Sequence, residues 1–138
     1  MPLEPRSPDL RLLRPIRVIV VSRDERFASV FRFLLGRKQL AVEAASRRQE
    51  LLTLLEQGAD VVVLDATHSL ADAARTIAEL EELHPEIGVV MVSDRRGRDG
   101  GLYRLLPKWG SLQQLIAEIE RTHLHLPARA HLRALDGH

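Results

Sequence analysis

Asp60-Val61-Val62-Val63-Leu64-Asp65-Ala66-Thr67-His68 is the stretch that decides how this chain folds. An apolar, β-branched run between two aspartates reads as a strand buried on both faces, as in a parallel sheet. Asp65 stands where that strand meets a loop, at the carboxyl edge of the sheet. Open α/β folds place their chemistry at that edge.

Strands and helices alternate outward from it. Upstream, Ile16–Val21 reads as a strand and Ser22-Arg23 as the loop that leaves it. Phe27, Val30, Phe31, Leu34 and Leu35 form the apolar stripe of a helix that Gly36 can end. Leu40–Ala44 is a weaker strand. Ser46 and Gln49 have capping-box spacing before a helix filled by Leu51, Leu52, Leu54 and Leu55, with Gly58 as its stop. Downstream, the pattern predicts a helix over Leu70–Leu83 with Ala73, Ala74, Ile77 and Leu80 inward, ended by His84-Pro85. Ile87–Val92 is a fourth strand and Leu102–Leu106 a fifth. Ser111 and Gln114 repeat the capping-box spacing before a last helix carrying Leu112, Leu115, Ile116 and Ile119.

This rhythm implies right-handed βαβ units and a five-stranded, doubly wound parallel sheet of the α/β class. Three segments follow: an irregular, Pro-rich arm over 1–14, one domain over 15–126, and a flexible tail over 127–138. One interval breaks the alternation. Asp94-Arg-Arg-Gly-Arg-Asp-Gly-Gly101 holds three glycines and five charges in eight residues, so the crossover between the fourth and fifth strands is expected as a loop in place of a helix.

Composition narrows the function classes. The 138 residues are 45% hydrophobic and 28% charged, with a formal net charge of +1, so nothing overall favours nucleic acid or an anionic membrane. With no cysteine there is no disulfide framework, thiolate nucleophile or cysteine zinc site. No apolar stretch approaches the roughly 20 residues of a membrane span, and cytoplasm is the expected location. His123 and His125, two apart, fall on different helix faces and read as solvated tail residues rather than a metal pair. No Ser-His-Asp or paired-carboxylate spacing is visible.

Five strands in this rhythm with an acid after the third resemble the flavodoxin-like receiver domain of bacterial response regulators, over about residues 15–125. The resemblance implies a phosphoacceptor at Asp65, a hydroxyl at Ser93 in Val92-Ser93-Asp94, and a pocket lysine at Lys108 in Leu105-Leu-Pro-Lys-Trp109. It also implies an Mg²⁺ ion held by an acid pair after the first strand. Here that pair falls on Ser22 and Arg23, with Asp24 one position late. A hard Mg²⁺ ion takes anionic oxygens, and an arginine repels it. The proline that follows the family's lysine is Trp109, and the aromatic switch position is Leu105, with Tyr103 two residues earlier on the same strand face.

The chain therefore resembles a degenerate pseudo-receiver without the acid pair and the fourth helix. The expected function is a non-catalytic signalling module in two-component signal transduction. It would act through protein–protein interaction independently of Asp phosphorylation, with no enzyme activity and no cofactor. Arg23 is the expected counter-ion of Asp65, which would lower the carboxyl's pKa. Losing a helix would bare apolar groups among Val89–Val92 and Leu102–Leu106, so a protein partner, a second copy included, is expected on that side. Two other readings stand beside this one. The first is a phosphorylatable response-regulator receiver, with Asp24 and Asp65 as weak metal ligands for Mg²⁺. The second is a regulatory fragment of a longer transcription factor or enzyme.

Overall fold

The computed structural model describes residues 14–94 and 105–136, with residues 125–136 as backbone alone. Five strands, β1 (Ile16–Val21), β2 (Leu40–Ala45), β3 (Val61–Asp65), β4 (Gly88–Ser93) and β5 (Leu105–Pro107), form one sheet in the order β2-β1-β3-β4-β5. Every pairing is parallel. Four helices accompany it among the described residues: α1 (Glu25–Gly36), α2 (Arg48–Leu55), α3 (Leu70–Leu83) and α4 (Leu112–Asp136). This is the five-stranded flavodoxin-like receiver fold. The interval expected to lack a helix, with Leu102 and Tyr103, lies outside the described residues, as do positions 1–13 of the arm.

Strand alternation divides the core in two. Val18, Val20, Val61, Val63, Val90, Val92 and Leu106 pack against Phe27, Phe31 and Leu35 of α1 and Leu115 and Ile119 of α4. Ile19, Val62, Leu64 and Met91 face the other way, onto Leu51 and Leu55 of α2 and Ala73, Ile77 and Leu80 of α3. Successive side chains of a strand point to opposite faces, so the unbroken Val61-Val62-Val63 run serves both layers with no exposed member.

Several expectations change in detail. Ser46 does not pair with Gln49. Its amide and hydroxyl both donate to Glu50 Oε1, at 2.6 and 2.9 Å, because α2 starts one position later than the spacing suggests. Ser111 does cap α4, its Oγ accepting from the Gln114 amide at 3.2 Å. Ala74 is exposed, since Ala73, Ile77 and Leu80 complete the inward stripe of α3 without it. α4 is helical to Asp136, over positions expected as a tail, with Pro127 inside it. His123, one turn beyond Ile119 on the same helix, is buried rather than solvated. Within the described residues the β4–β5 side is not bare. Val90, Met91, Val92 and Leu106 are buried, and Val89 and Leu105 pack on the second core.

Gly88 opens β4 at the end of the sheet far from Asp65. A Cβ there would collide with Thr122 Cγ2, so glycine lets α4 seat directly on the strand.

Candidate functional site

The strand order reverses direction at β1 and β3, and the loops leaving their carboxyl ends diverge there, as at a topological switch point. Asp65, the last residue of β3, lies at this edge with its side chain only 1% exposed. A buried carboxylate must be paired or neutralised, and Asp65 is fully engaged. Its Oδ2 accepts from Ser22 Oγ at 2.6 Å and lies 2.8 Å from Lys108 Nζ. Its Oδ1 accepts from the Thr67 amide at 3.0 Å and from Thr67 Oγ1 at 2.6 Å.

Lys108 arrives by a defined route. Its amide donates to the Ser93 carbonyl at 2.9 Å, one step past the Ser93–Pro107 register of β4 and β5. A turn closed by the Gly110 amide on the Pro107 carbonyl follows, and a Cβ at Gly110 would come within 2.9 Å of the Pro107 ring. The chain reaches the pocket without proline after the lysine and without any cis peptide bond among the described residues. Lys108 Nζ then lies 2.9 Å from Asp24 Oδ2 and 5.2 Å above the Phe27 ring. Trp109, half exposed, sets its edge against the same ring at 5.3 Å.

Asp24 has two tasks. Its Oδ1 accepts from the Phe27 amide at 3.1 Å and caps α1, while its Oδ2 shares the ammonium with Asp65. Two carboxylates and one ammonium thus form a triad, buried at Asp65 and Lys108 and partly exposed at Asp24, tied to the β1 loop by Ser22. The Ser22 hydroxyl also accepts from the Asp24 amide at 3.0 Å.

The electrostatics follow from these contacts. Burial pushes the Asp65 carboxyl upward, and the hydrogen bonds from Lys108, Ser22 and Thr67 more than offset it, leaving it below its ordinary value. Hydrogen bonding to Lys108, then to the Phe27 amide, lowers Asp24. Burial pulls Lys108 down, but its bonds to Asp65 and Asp24 raise it overall. All three groups are held in their charged forms.

The counter-ion expectation is corrected. Arg23 is exposed and makes no ion pair among the described residues; Lys108 neutralises Asp65. Arginine at the loop apex points toward water, whereas the short β5 turn delivers the lysine inward. Ser93 is buried at the end of β4, beside the Lys108 backbone. Leu105, where the resemblance implied an aromatic, is a half-buried aliphatic packed on the second core.

Sequence reasoning passed over Thr67 and the Ser22 hydroxyl. Asp65-Ala66-Thr67 has the spacing of an Asx-turn, which would have flagged Thr67. That residue also accepts from the Asp94 amide at 3.2 Å, linking the β3 and β4 loops.

The carboxylates that could meet an Mg²⁺ ion, Asp24 and Asp65, are both bound to the Lys108 ammonium. Among the described residues no group of three acidic or histidine side chains could hold a metal. Ser22 contributes a neutral hydroxyl whose proton points at Asp65, and both nearby carboxylates already bind an ammonium. Mg²⁺ takes one or two carboxylates and several waters in octahedral array, so it would have to displace the ammonium from Asp24 and Asp65.

Comparison with known proteins agrees on the fold. No protein-family model and no curated protein matches the chain. Among solved structures, it is similar to a response regulator from Thermotoga maritima, at 20% identity and a TM-score of 0.67, covering 79% of this chain and 98% of that one. The beryllofluoride-activated NtrC4 receiver domain dimer superimposes with a TM-score of 0.69 at 20% identity, over 80% of this chain and 98% of that one. A signal receiver domain of an HD domain-containing protein from Pseudomonas fluorescens Pf-5 gives 0.71 at 18% identity, over 86% and 93%.

Proposed function

We propose that this chain is a pseudo-receiver: a signalling module without catalytic activity that works through protein–protein contact and does not depend on phosphorylation of Asp65. One observation carries the reading. The position beside Asp65 where a metal-binding acid is needed holds the Ser22 hydroxyl at 2.6 Å, and Lys108 supplies the charge compensation instead. Phosphoryl transfer to a carboxylate brings two anionic groups together and needs a cation that can offset the developing charge. A lysine already committed to two carboxylates offsets charge in the resting state and holds the loops shut. The triad then acts as a fixed strut joining β1, β3 and β5.

The side of β5, the edge strand among the described residues, with half-buried Leu105 and exposed Pro107, is the proposed partner surface, and a second copy of the chain is one candidate. The NtrC4 neighbour is itself a receiver dimer.

The decisive experiment titrates Mg²⁺ and then beryllofluoride while following Trp109 fluorescence. Trp109 reports directly because its ring touches Phe27, which lies under Lys108. The expected result is no saturable response at millimolar Mg²⁺. A saturable response that Asp65→Asn abolishes would overturn the proposal. It would favour the phosphorylatable receiver, for which one observation speaks: Asp24, though one position late, does reach the same ammonium as Asp65.

A further inference from the structure

On the α2–α3 side of the same sheet edge lies an open crevice of about 730 Å³. Val21, Leu64 and Ala73 wall it, the loops after β1, β2 and β3 form its upper end, and α3 forms its flank. Its size is that of small-molecule sites, which occur preferentially at such switch points.

The charges that line it are only partly spent. Arg48 is paired with Glu79 and Arg75 with Asp72, both across or along the crevice wall. Asp65 is answered by Lys108. Arg23 and Arg47 remain at the upper end, both exposed and neither in an ion pair among the described residues, while exposed Glu82 lines the crevice near the far end of α3. Glu50 turns its carboxylate to Ser46 while still attracting Arg47 electrostatically. The guanidinium groups of Arg23 and Arg47 offer forked donors that match a tetrahedral dianion better than a single carboxylate. The cavity behind them is far larger than a phosphate ion.

We infer that this crevice binds a phosphomonoester of mononucleotide size, its phosphate gripped by Arg23 and Arg47 and its body lying along α3. The site borders the triad, since Ser22 and Asp65 line the crevice, but the Asp65 carboxylate is turned to Lys108. It requires nothing of Asp65 beyond its being neutralised, so it holds whether or not that residue ever accepts a phosphoryl group.

Calorimetric titration in EDTA tests it, because chelation removes any metal-dependent chemistry at Asp65. The probes are the four common nucleoside monophosphates, glucose 6-phosphate, the parent nucleosides and inorganic phosphate. At least one phosphomonoester is expected to bind saturably and more tightly than inorganic phosphate. Arg23→Ala and Arg47→Ala should each weaken it about tenfold. Arg32→Ala, an exposed arginine on α1 across the sheet, should leave it unchanged. Circular dichroism of each variant separates lost binding from lost fold, and Arg23→Lys should retain part of the affinity if the fold is intact. Four results each overturn the inference: no saturable phosphomonoester binding up to about 10 mM, equal binding of the parent nucleoside, equal binding of inorganic phosphate, or equal loss in Arg32→Ala.

Discussion

The two faces of the sheet are built to different ends. On one, the twelve-residue α1 and the long α4 close over Val18, Val20, Val61, Val63, Val90 and Val92, with the Phe27 and Phe31 rings tilted against each other at 5.5 Å. The charged triad sits at the upper rim of this face, roofed by an aromatic ring. On the other, α2 is only eight residues long, and the gap between it and α3 remains an open crevice. The closed face fixes a geometry; the open face leaves room. Within one thin fold, rigidity and access are assigned to opposite sides of the same strands.

Substitution can break this contrast, and the largest effect belongs to the closed face. Phe31→Ala should cost about 4 kcal/mol in chemical denaturation, since two packed helices cannot collapse into the cavity left behind. Lys108→Met should cost about 3 kcal/mol, because it strands a buried carboxylate. Adding Asp65→Asn to that variant should restore much of the loss, and failure to do so would mean the lysine matters for packing alone.

Leu51→Ala, on the open face, is fully buried yet should cost only about 2.5 kcal/mol, near the low end for such a change. The short α2 borders a space into which it can relax. An equal or larger cost than Phe31→Ala would erase the distinction between the faces.

A smaller effect follows pH. Asp65 and Asp24 are lowered in the folded state, so their contribution is present above the unfolded carboxyl value of about 4 and fades as pH falls through the folded values. Lys108 is raised, so its contribution is complete below about 10.4 and is lost as pH climbs through its folded value. Melting temperature should therefore be flat between these limits and fall outside both. In Lys108→Met/Asp65→Asn the alkaline fall should shrink. Least of all, Arg48→Ala should change stability by less than about 1 kcal/mol, because its pair with Glu79 is solvent-screened.

The sheet was legible because its signals are local. β1 and α3 begin and end where hydrophobic periodicity and flanking residues place them, at Ile16–Val21 and Leu70–Leu83. Asp65, Ser93 and Lys108 converge because parallel strands bring their carboxyl ends to one edge. What resisted reading was the direction of side chains on loops. Arg23 and Lys108 carry the same charge near the same edge, and only the turn over Pro107–Gly110 settles which one points inward. Ser46 has two acceptors in reach, and one residue of helix phase decides between Gln49 and Glu50. His123 depended on which face of α4 meets the sheet: it follows Ile119 by one turn and shares that inward face, which its spacing from His125 does not reveal.

Thr122 meets Gly88 at the end of the sheet opposite the triad, and from there α4 runs on to Asp136, about 21 Å further at roughly 1.5 Å per residue. Gly88 thus sets how closely the helix lies on the sheet: any side chain there would push Thr122, and with it the packing of Ile119 against Val90, away from β4.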